Sequence, residues 1–312
     1  KAKVRIINDL MYRHWNYWED GKYSHLFVAD FANGAIANAK DINADEKWDT
    51  PMAVDFDMAE VQWSPDSKKL VYNSKKLYGK EYAMSTNSDI YLYELESGAT
   101  TNLTPEDKGY DRYPKFSPNG KYISWWSMET PLYEADLKRL FVLNTETGKA
   151  VYATQGFDQN IEAYNWDEDG NTIYFVSGTK GTEQLFKIDV TTNQITQLTK
   201  GMHDYVTVQK NKGVIVAERM SMSMAPELYK IDEATGEATQ LTFTNKAIYE
   251  NIKMGEVRER WVKTTDGKEM LAWVILPPNF DETKKYPTLL YCQGGPQSTV
   301  SQFWSFRWNF QI

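Results

Sequence analysis

The chain has 312 residues, 41% of them hydrophobic, and a formal net charge of -8, which allows a sizeable core in roughly two domains. No run approaches the roughly 18 apolar residues of a helical membrane span, and the absence of clustered Lys and Arg argues against a phosphate-tracking nucleic-acid surface. A single cysteine, Cys292, excludes an internal disulfide framework and a cysteine-based zinc site.

The opening stretch KAKVRIINDL is basic in flavour, but Asp9 interrupts any signal-like core and no cleavage site follows. An aromatic segment, YRHWNYWEDGKYSHLFVADFANGAI, comes next. It reads as a first copy of a repeat whose anchors become clear further on. The bunched rings of RHWNYWED could stack on a carbohydrate, but sheets routinely bury such residues between them.

From Val61 three anchors recur in fixed order. The first is a strand, a turn and a second strand: VQWSPDSKKLVYNS from Val61, PKFSPNGKYISWWS from Pro114, YNWDEDGNTIYFVS from Tyr164, and a worn VTVQKNKGVIVAE from Val206. Alternating apolar residues around a Pro/Asp/Asn/Gly cluster predict hairpins. The second anchor is a further strand, DIYLYEL, RLFVLN, QLFKID and ELYKID in turn. The third is a Gly or Asn turn ending at Thr104, Thr154, Thr199 and Thr242, spaced by 50, 45 and 43 residues. A period of that length holding about four strands predicts β-propeller blades, each of which buries its faces only against a neighbour. The fold class expected is therefore mainly β, a propeller of about five visible blades.

Within this stretch several signals are weak. DEDG at Asp167–Gly170 hints at a calcium loop, but it occupies the turn that SPNG fills in the preceding blade and lacks the distal Glu. MSMSM from Met220 reads as an inter-strand loop rather than a methionine-rich contact surface. The three histidines, His14, His25 and His203, show no metal-ligand spacing. Neither metal nor cofactor is expected.

The pattern changes near residue 250. EVRERWVKTTDGKEMLAWVILPPNF predicts two strands joined at Asp266-Gly267; KKYPTLLYCQ reads as a short, fully apolar strand, GGPQS as a tight loop, and FWSFRWNFQI as a helix start. A continuous apolar strand suits a sheet covered on both faces, as in α/β proteins. Residues 1–250 are thus expected to be propeller and 251–312 the first part of an α/β domain.

Blades with Ser-Pro-Asp and Ser-Pro-Asn-Gly turns, followed by TTDGKEMLAWVILP and YPTLLYCQGGPQS, resemble the prolyl oligopeptidase family of serine peptidases, and within it the dipeptidyl-peptidase V and acylaminoacyl-peptidase branch. METPLYEADLKRLFVLN from Met128 resembles that branch as well. The resemblance implies an α/β-hydrolase domain after the propeller and a Ser-Asp-His triad beyond Ile312, since no Gly-x-Ser-x-Gly elbow occurs here. The chain alone is then expected to be inactive. The resemblance also assigns roles to residues. Gly294 would supply an oxyanion N–H, with Gln293 standing where relatives often carry His or Tyr. Glu134, with Tyr133 and Asp136 on the same loop, would hold the ammonium of a short peptide substrate by a charge-assisted hydrogen bond. It further implies a periplasmic or extracellular protein. Five blades are fewer than family propellers carry, which implies either further blades upstream or an open ring whose exposed edge strands would favour homo-oligomers. Two alternatives stay open at this point: a propeller that only binds a partner, and a propeller-linked esterase.

Overall fold

A computed structural model describes residues 3–52, 58–292 and 298–311. The chain divides into two compact units, one up to Asp158 and one from Gln159.

In the first unit a minimal pairing of β1 (Arg13–His14) with β2 (Tyr17–Trp18) precedes a hairpin of β3 (Phe27–Ala32) and β4 (Ala35–Asp41). The hairpin turns on Asn33-Gly34, both at positive φ, as a two-residue turn matching strand twist requires. A 3₁₀ turn, Met58–Glu60, leads into a four-stranded sheet of β5 (Val61–Trp63), β6 (Lys69–Ser74), β7 (Asp89–Glu94) and β8 (Thr100–Asn102), with the short helix α1 (Lys80–Ala83) between β6 and β7. The next sheet holds β9 (Asp111–Phe116), β10 (Tyr122–Ser127), β11 (Arg139–Asn144) and β12 (Ala150–Tyr152).

Strand periodicity explains the packing. Residues alternate between faces, and the register pairs Leu70 with Tyr93, Val71 with Leu92 and Tyr72 with Tyr91. Leu70, Tyr72, Tyr91 and Tyr93 form one buried cluster with Leu26, Val28 and Ile42 of the preceding hairpin region. Val71 and Ile90 form another with Ile123, Trp125 and Leu143 of the following sheet. The β5–β8 sheet is thus buried on both faces, which is why its middle strands read as nearly continuous apolar runs.

The second unit repeats the plan. One sheet is β13 (Ala163–Trp166), β14 (Thr172–Thr179), β15 (Thr182–Asp189) and β16 (Gln194–Gln197); the next is β17 (Asp204–Asn211), β18 (Val214–Ser221), β19 (Met224–Ile231) and β20 (Ala238–Gln240). Tyr174, Val176 and Leu185 of the former pack against Tyr205, Val208, Ile215, Ala217, Tyr229 and Ile231 of the latter. Then come α2 (Lys246–Tyr249) and a separate hairpin of β21 (Val257–Lys263) and β22 (Glu269–Ile275).

The recurring turn residues have a common job. Ser64 Oγ accepts the Lys69 N–H at 2.9 Å and Ser117 Oγ the Tyr122 N–H at 2.9 Å, each closing its hairpin. Asp169 does the same in DEDG, accepting from the N–H groups of Asn171 (2.7 Å) and Thr172 (2.8 Å), so that stretch is a turn. The repeat threonines act at the other end of the sheets. Thr104 Oγ1 accepts from Ile90 N–H (3.0 Å), Thr154 from Leu140 (3.1 Å), Thr199 from Leu185 (2.9 Å) and Thr242 from Leu228 (2.9 Å). Each caps an N–H near the start of the third strand that has no ladder partner after the short fourth strand ends, a contribution of roughly 1 kcal/mol apiece.

Three expectations need correction. The first repeat copy makes only two-stranded pairings among the described residues. The run YPTLLYC is not a strand: Leu289 and Leu290 are 96% and 89% exposed, and no neighbour among the described residues offers the ladder that an extended segment needs. The helix start expected in FWSFRWNFQI is instead a series of turns. Ser305 Oγ accepts from Arg307 and Trp308 N–H (3.2 and 2.9 Å) and Asn309 Oδ1 from Gln311 N–H (2.8 Å), so side chains take the donors a first helical turn would present. The Met220–Met224 stretch ends β18, turns at residues 222–223 with Met222 buried, and starts β19.

Candidate functional site

Glu134 lies in the segment 128–138 that joins β10 to β11, as an insertion between two strands of one sheet. The corresponding connection of the preceding sheet, 75–88, lies beside it. Leu132 N–H donates to Thr86 Oγ1 at 2.8 Å, and Ser88 bridges Tyr110 in parallel, with Asp111 N–H donating to Ser88 O at 3.0 Å. Gly109 permits this junction. A Cβ there would lie 1.8 Å from Met128 O, so only glycine lets the two backbones approach.

Asp136 holds the Glu134 loop in shape. Its Oδ2 accepts the Glu129 and Thr130 N–H groups at 2.9 and 2.7 Å, its Oδ1 the Leu137 N–H at 2.7 Å. The Arg139 fork adds two bonds of 3.2 Å. Burial pushes the Asp136 carboxyl up, but the guanidinium and the donated N–H groups outweigh it and hold the group well below the usual carboxylate range. Both oxygens are thus taken up inside the loop. Glu134 and Tyr133 are left exposed on it, Tyr133 at 53%.

Around Glu134 the partners are polar and partly buried. Tyr110 OH donates to Glu134 Oε1 at 3.2 Å; burial first, then the Glu134 charge, pushes the Tyr110 phenol up to about 12. Lys75 is 6% exposed, donates to Ser85 O, and stacks 4.2 Å above the Tyr82 ring. Burial pushes its ammonium down to about 8, against the pull of Glu134. At the start of β9, Asp111 is fully buried; burial pushes its carboxyl up to about 8, with Ser127 opposing and Asp107 adding to the rise. Arg112 pairs with the buried Glu60 and stacks on Tyr113 at 5.0 Å. The region therefore combines one exposed carboxylate, a desolvated ammonium and two phenols. Such a set can hold a cation at Glu134 and a carbonyl or carboxylate at Lys75.

A cleft of about 730 Å³ lies elsewhere in this unit, at the turn end of the sheets. Its walls include Asn119, Gly120, Thr145 and Gly148, its floor Ile123 and Leu143 of the core, and its charged groups are only Asp66 and Lys69. It has no convergent chemistry, so the loop cluster is the better candidate.

Gln293 and Gly294, the expected oxyanion residues, lie outside the described residues. From Ser298 the chain runs within the second unit. Val300 O accepts the Trp273 indole N–H at 2.8 Å, and Ser301 and Gln302 are buried against β17. His203 sits near them; burial, then the Arg219 charge, pushes its imidazole down to about 4, which keeps it neutral.

Sequence reasoning missed Lys75, Tyr110 and Asp204. Tyr110 and Asp204 meet Glu134 and Ser301 across 24 and 97 residues, and none of the three sits in a motif. The only signal was indirect: a lysine following the apolar run VYNS, and a strand opening on an aspartate.

A repeat of four-stranded antiparallel sheets, packed face to face within each unit, is a propeller signature, and the TolB beta propeller domain family matches residues 56–249. The chain belongs to that family. The propeller chain is 46% identical over 312 residues to a dipeptidyl-peptidase 5 of Porphyromonas gingivalis, covering 100% of this chain and 46% of the relative. A dipeptidyl-peptidase 5 of Porphyromonas endodontalis is 45% identical over 314 residues, with 100% and 45% covered. The chain thus spans just under half the length of these curated relatives. Among solved structures, an acylaminoacyl peptidase in complex with Z-Gly-Gly-Phe-chloromethyl ketone matches with a TM-score of 0.74 at 18% identity, over 99% of this chain and 45% of that one. A Pyrococcus horikoshii acylaminoacyl peptidase matches at 0.66 and 18%, over 89% and 40%. These likenesses establish the propeller fold. No helix among the described residues is long and apolar enough to cross a membrane.

Proposed function

We propose that the chain is the propeller-bearing part of a serine dipeptidyl-peptidase acting on short peptides in the periplasm or outside the cell. Residues 1–250 form the blades and 251–312 begin the α/β-hydrolase domain. The Ser-Asp-His triad belongs to the remainder of the protein, so residues 1–312 alone are inactive. The names of relatives that are 45–46% identical support the activity class. One structural observation carries the specificity: a carboxylate, Glu134, displayed on a loop that Asp136 and Arg139 fix from within.

In this reading the substrate's free ammonium donates to Glu134, with Tyr133 flanking it, and Asp136 keeps the loop in place. Gly294 donates its backbone N–H to the oxygen that becomes negative as the acyl bond is attacked, where one such donor is worth roughly 10²–10³ in rate. Gln293 is its neighbour on that loop. The exposed Leu289-Leu290 run is the apolar surface that a central hydrolase strand would bury.

The test uses the full-length protein. A dipeptidyl arylamide should be cleaved at least about tenfold more efficiently than its N-acetylated form, the value of one charge-assisted hydrogen bond. Equal efficiency on the two, or turnover of simple esters alone, would sink the reading.

A further inference from the structure

At the start of β17 three side-chain nitrogens are buried without a partner. Arg219 Nε on β18, His203 Nε2 just before β17, and Gln302 Nε2 make no hydrogen bond among the described residues. All three flank the same short stretch. Arg219 stands opposite Tyr205 in the β17–β18 register, and His203 meets the Tyr205 ring edge-on at 5.1 Å. Gln302 follows Ser301, whose hydroxyl donates to Asp204 Oδ2 at 2.6 Å. Gln302 is 2% exposed, where a bare donor is costly. His203 and Arg219 are half-buried, so solvent reaches the edge of the group.

The charge on Arg219 decides what such a group can hold. Its guanidinium lies 3.7 Å from the centre of the Tyr229 ring and makes no ion pair with a described carboxylate. Glu227 faces it across the β18–β19 ladder, but that carboxylate is taken by Thr242, Thr244 and the Asn245 N–H. Asp204 is no alternative, because its oxygens accept from Ser301 and, at 2.9 Å, from the Glu183 N–H. A partly buried cation left without a counter-ion is expensive, and a guanidinium fork matches a planar carboxylate. The neighbouring imidazole is held ready. Gln184 Nε2 donates to Gly201 O at 3.1 Å and to His203 O at 3.0 Å. The Gly201 backbone closes over the His203 ring, where a Cβ would fall 2.5 Å from Cε1.

We propose that Arg219, His203 and Gln302 form a binding site for a small free carboxylate, with Arg219 as the charge partner and the imidazole and amide N–H groups as neutral donors. His203 suits the role. Burial and the Arg219 charge keep it neutral, and the tautomer with its proton on Nε2 supplies a donor without a second charge. The site stands independently of the role given to Glu134.

In the full-length protein, acetate at pH 7 and constant ionic strength should raise the melting temperature along a saturating curve, as a ligand of the folded state does. Its uncharged isostere acetamide should not. Arg219→Met should weaken acetate at least about tenfold, the value of a charge-assisted hydrogen bond, and Gln302→Leu about three- to tenfold. Phenylglyoxal modification of Arg219, followed by peptide mass mapping, should be slowed by acetate in wild type and needs no variant. None of these readouts depends on peptide cleavage. An unresponsive wild type would overturn the proposal, whether the site stays empty or a carboxylate from elsewhere in the full-length protein fills it. So would equal effects of acetate and acetamide. Unchanged acetate affinity in folded Arg219→Met and Gln302→Leu would overturn it too, since acetate would then bind elsewhere.

Discussion

The two units are built from the same sheet, yet they differ in one connection. Between the second and third strands, the four-stranded sheets of the first unit carry residues 75–88 and 128–138, while those of the second turn on 180–181 and 222–223. In the second unit Lys180-Gly181 is a two-residue turn at positive φ, all that a hairpin requires. The long connections of the first carry Lys75, Thr86, Tyr133, Glu134 and Asp136, and they stitch to each other through Tyr110 and Thr86. Threonine braces are common to all four sheets and the Ser or Asp turn to three of them; the polar loops belong to the first unit alone. Sheet stability and the polar chemistry of the loops are thus separable in this chain, and substitutions should show it.

The largest effect is expected at the junction of the two loops. Gly109→Ala places a Cβ 1.8 Å from Met128 O, and the backbone must move. A loss of about 3 kcal/mol, the upper end for overpacking, should appear as a lower urea midpoint. Gly213→Ala, at a φ of +74° but with open space around it, should cost less, about 1 kcal/mol of strain. Equal costs would show that close approach at Gly109 is not what matters.

Next is the loop clamp. Asp136→Asn removes the charge that Arg139 and three backbone N–H groups share, and about 2 kcal/mol is expected, typical of charged hydrogen bonds. Because the folded-state carboxyl is held below its ordinary value, its contribution is complete above the unfolded pKa near 4. It is lost progressively as pH falls below that. Wild type and Asp136→Asn should therefore differ in melting temperature at pH 7 and converge in strong acid. A pH-independent gap would contradict the assignment. Activity should fall as well, since Glu134 rides on this loop.

The smallest effect is expected at a single threonine brace. Thr154→Val strands the N–H of fully buried Leu140, and about 1–2 kcal/mol is expected. Chemical denaturation measures it directly, and wild-type stability would contradict the brace.

Much of the fold was legible because a blade is a local object. Strand, Ser-Pro-Asp turn, strand and threonine follow one another within some fifty residues, and the hairpin 257–275 around Asp266-Gly267 is as local. What failed depended on partners. The apolar run 286–291 looks like a strand by composition, but an extended segment becomes one only beside another. The aromatic segment 303–311 looks like a helix start, but Ser305 and Asn309 satisfy its donors first. The site was half legible. Glu134 stood out only through the resemblance its loop carries, whereas Lys75 follows β6 and Tyr110 precedes β9, and Asp204 meets Ser301 across 97 residues. Sequence spacing carries no trace of such meetings.

The most direct test of the account is to compare Glu134→Gln with wild type in the full-length enzyme, on a dipeptidyl arylamide and its N-acetylated counterpart. If Glu134 receives the substrate ammonium, kcat/KM on the free peptide should fall about 10–100-fold, as for a lost charge-assisted hydrogen bond. On the blocked peptide it should stay unchanged, so the preference between the two collapses. Equal losses on both, or none on either, would contradict the claim that this loop reads the substrate's N-terminus.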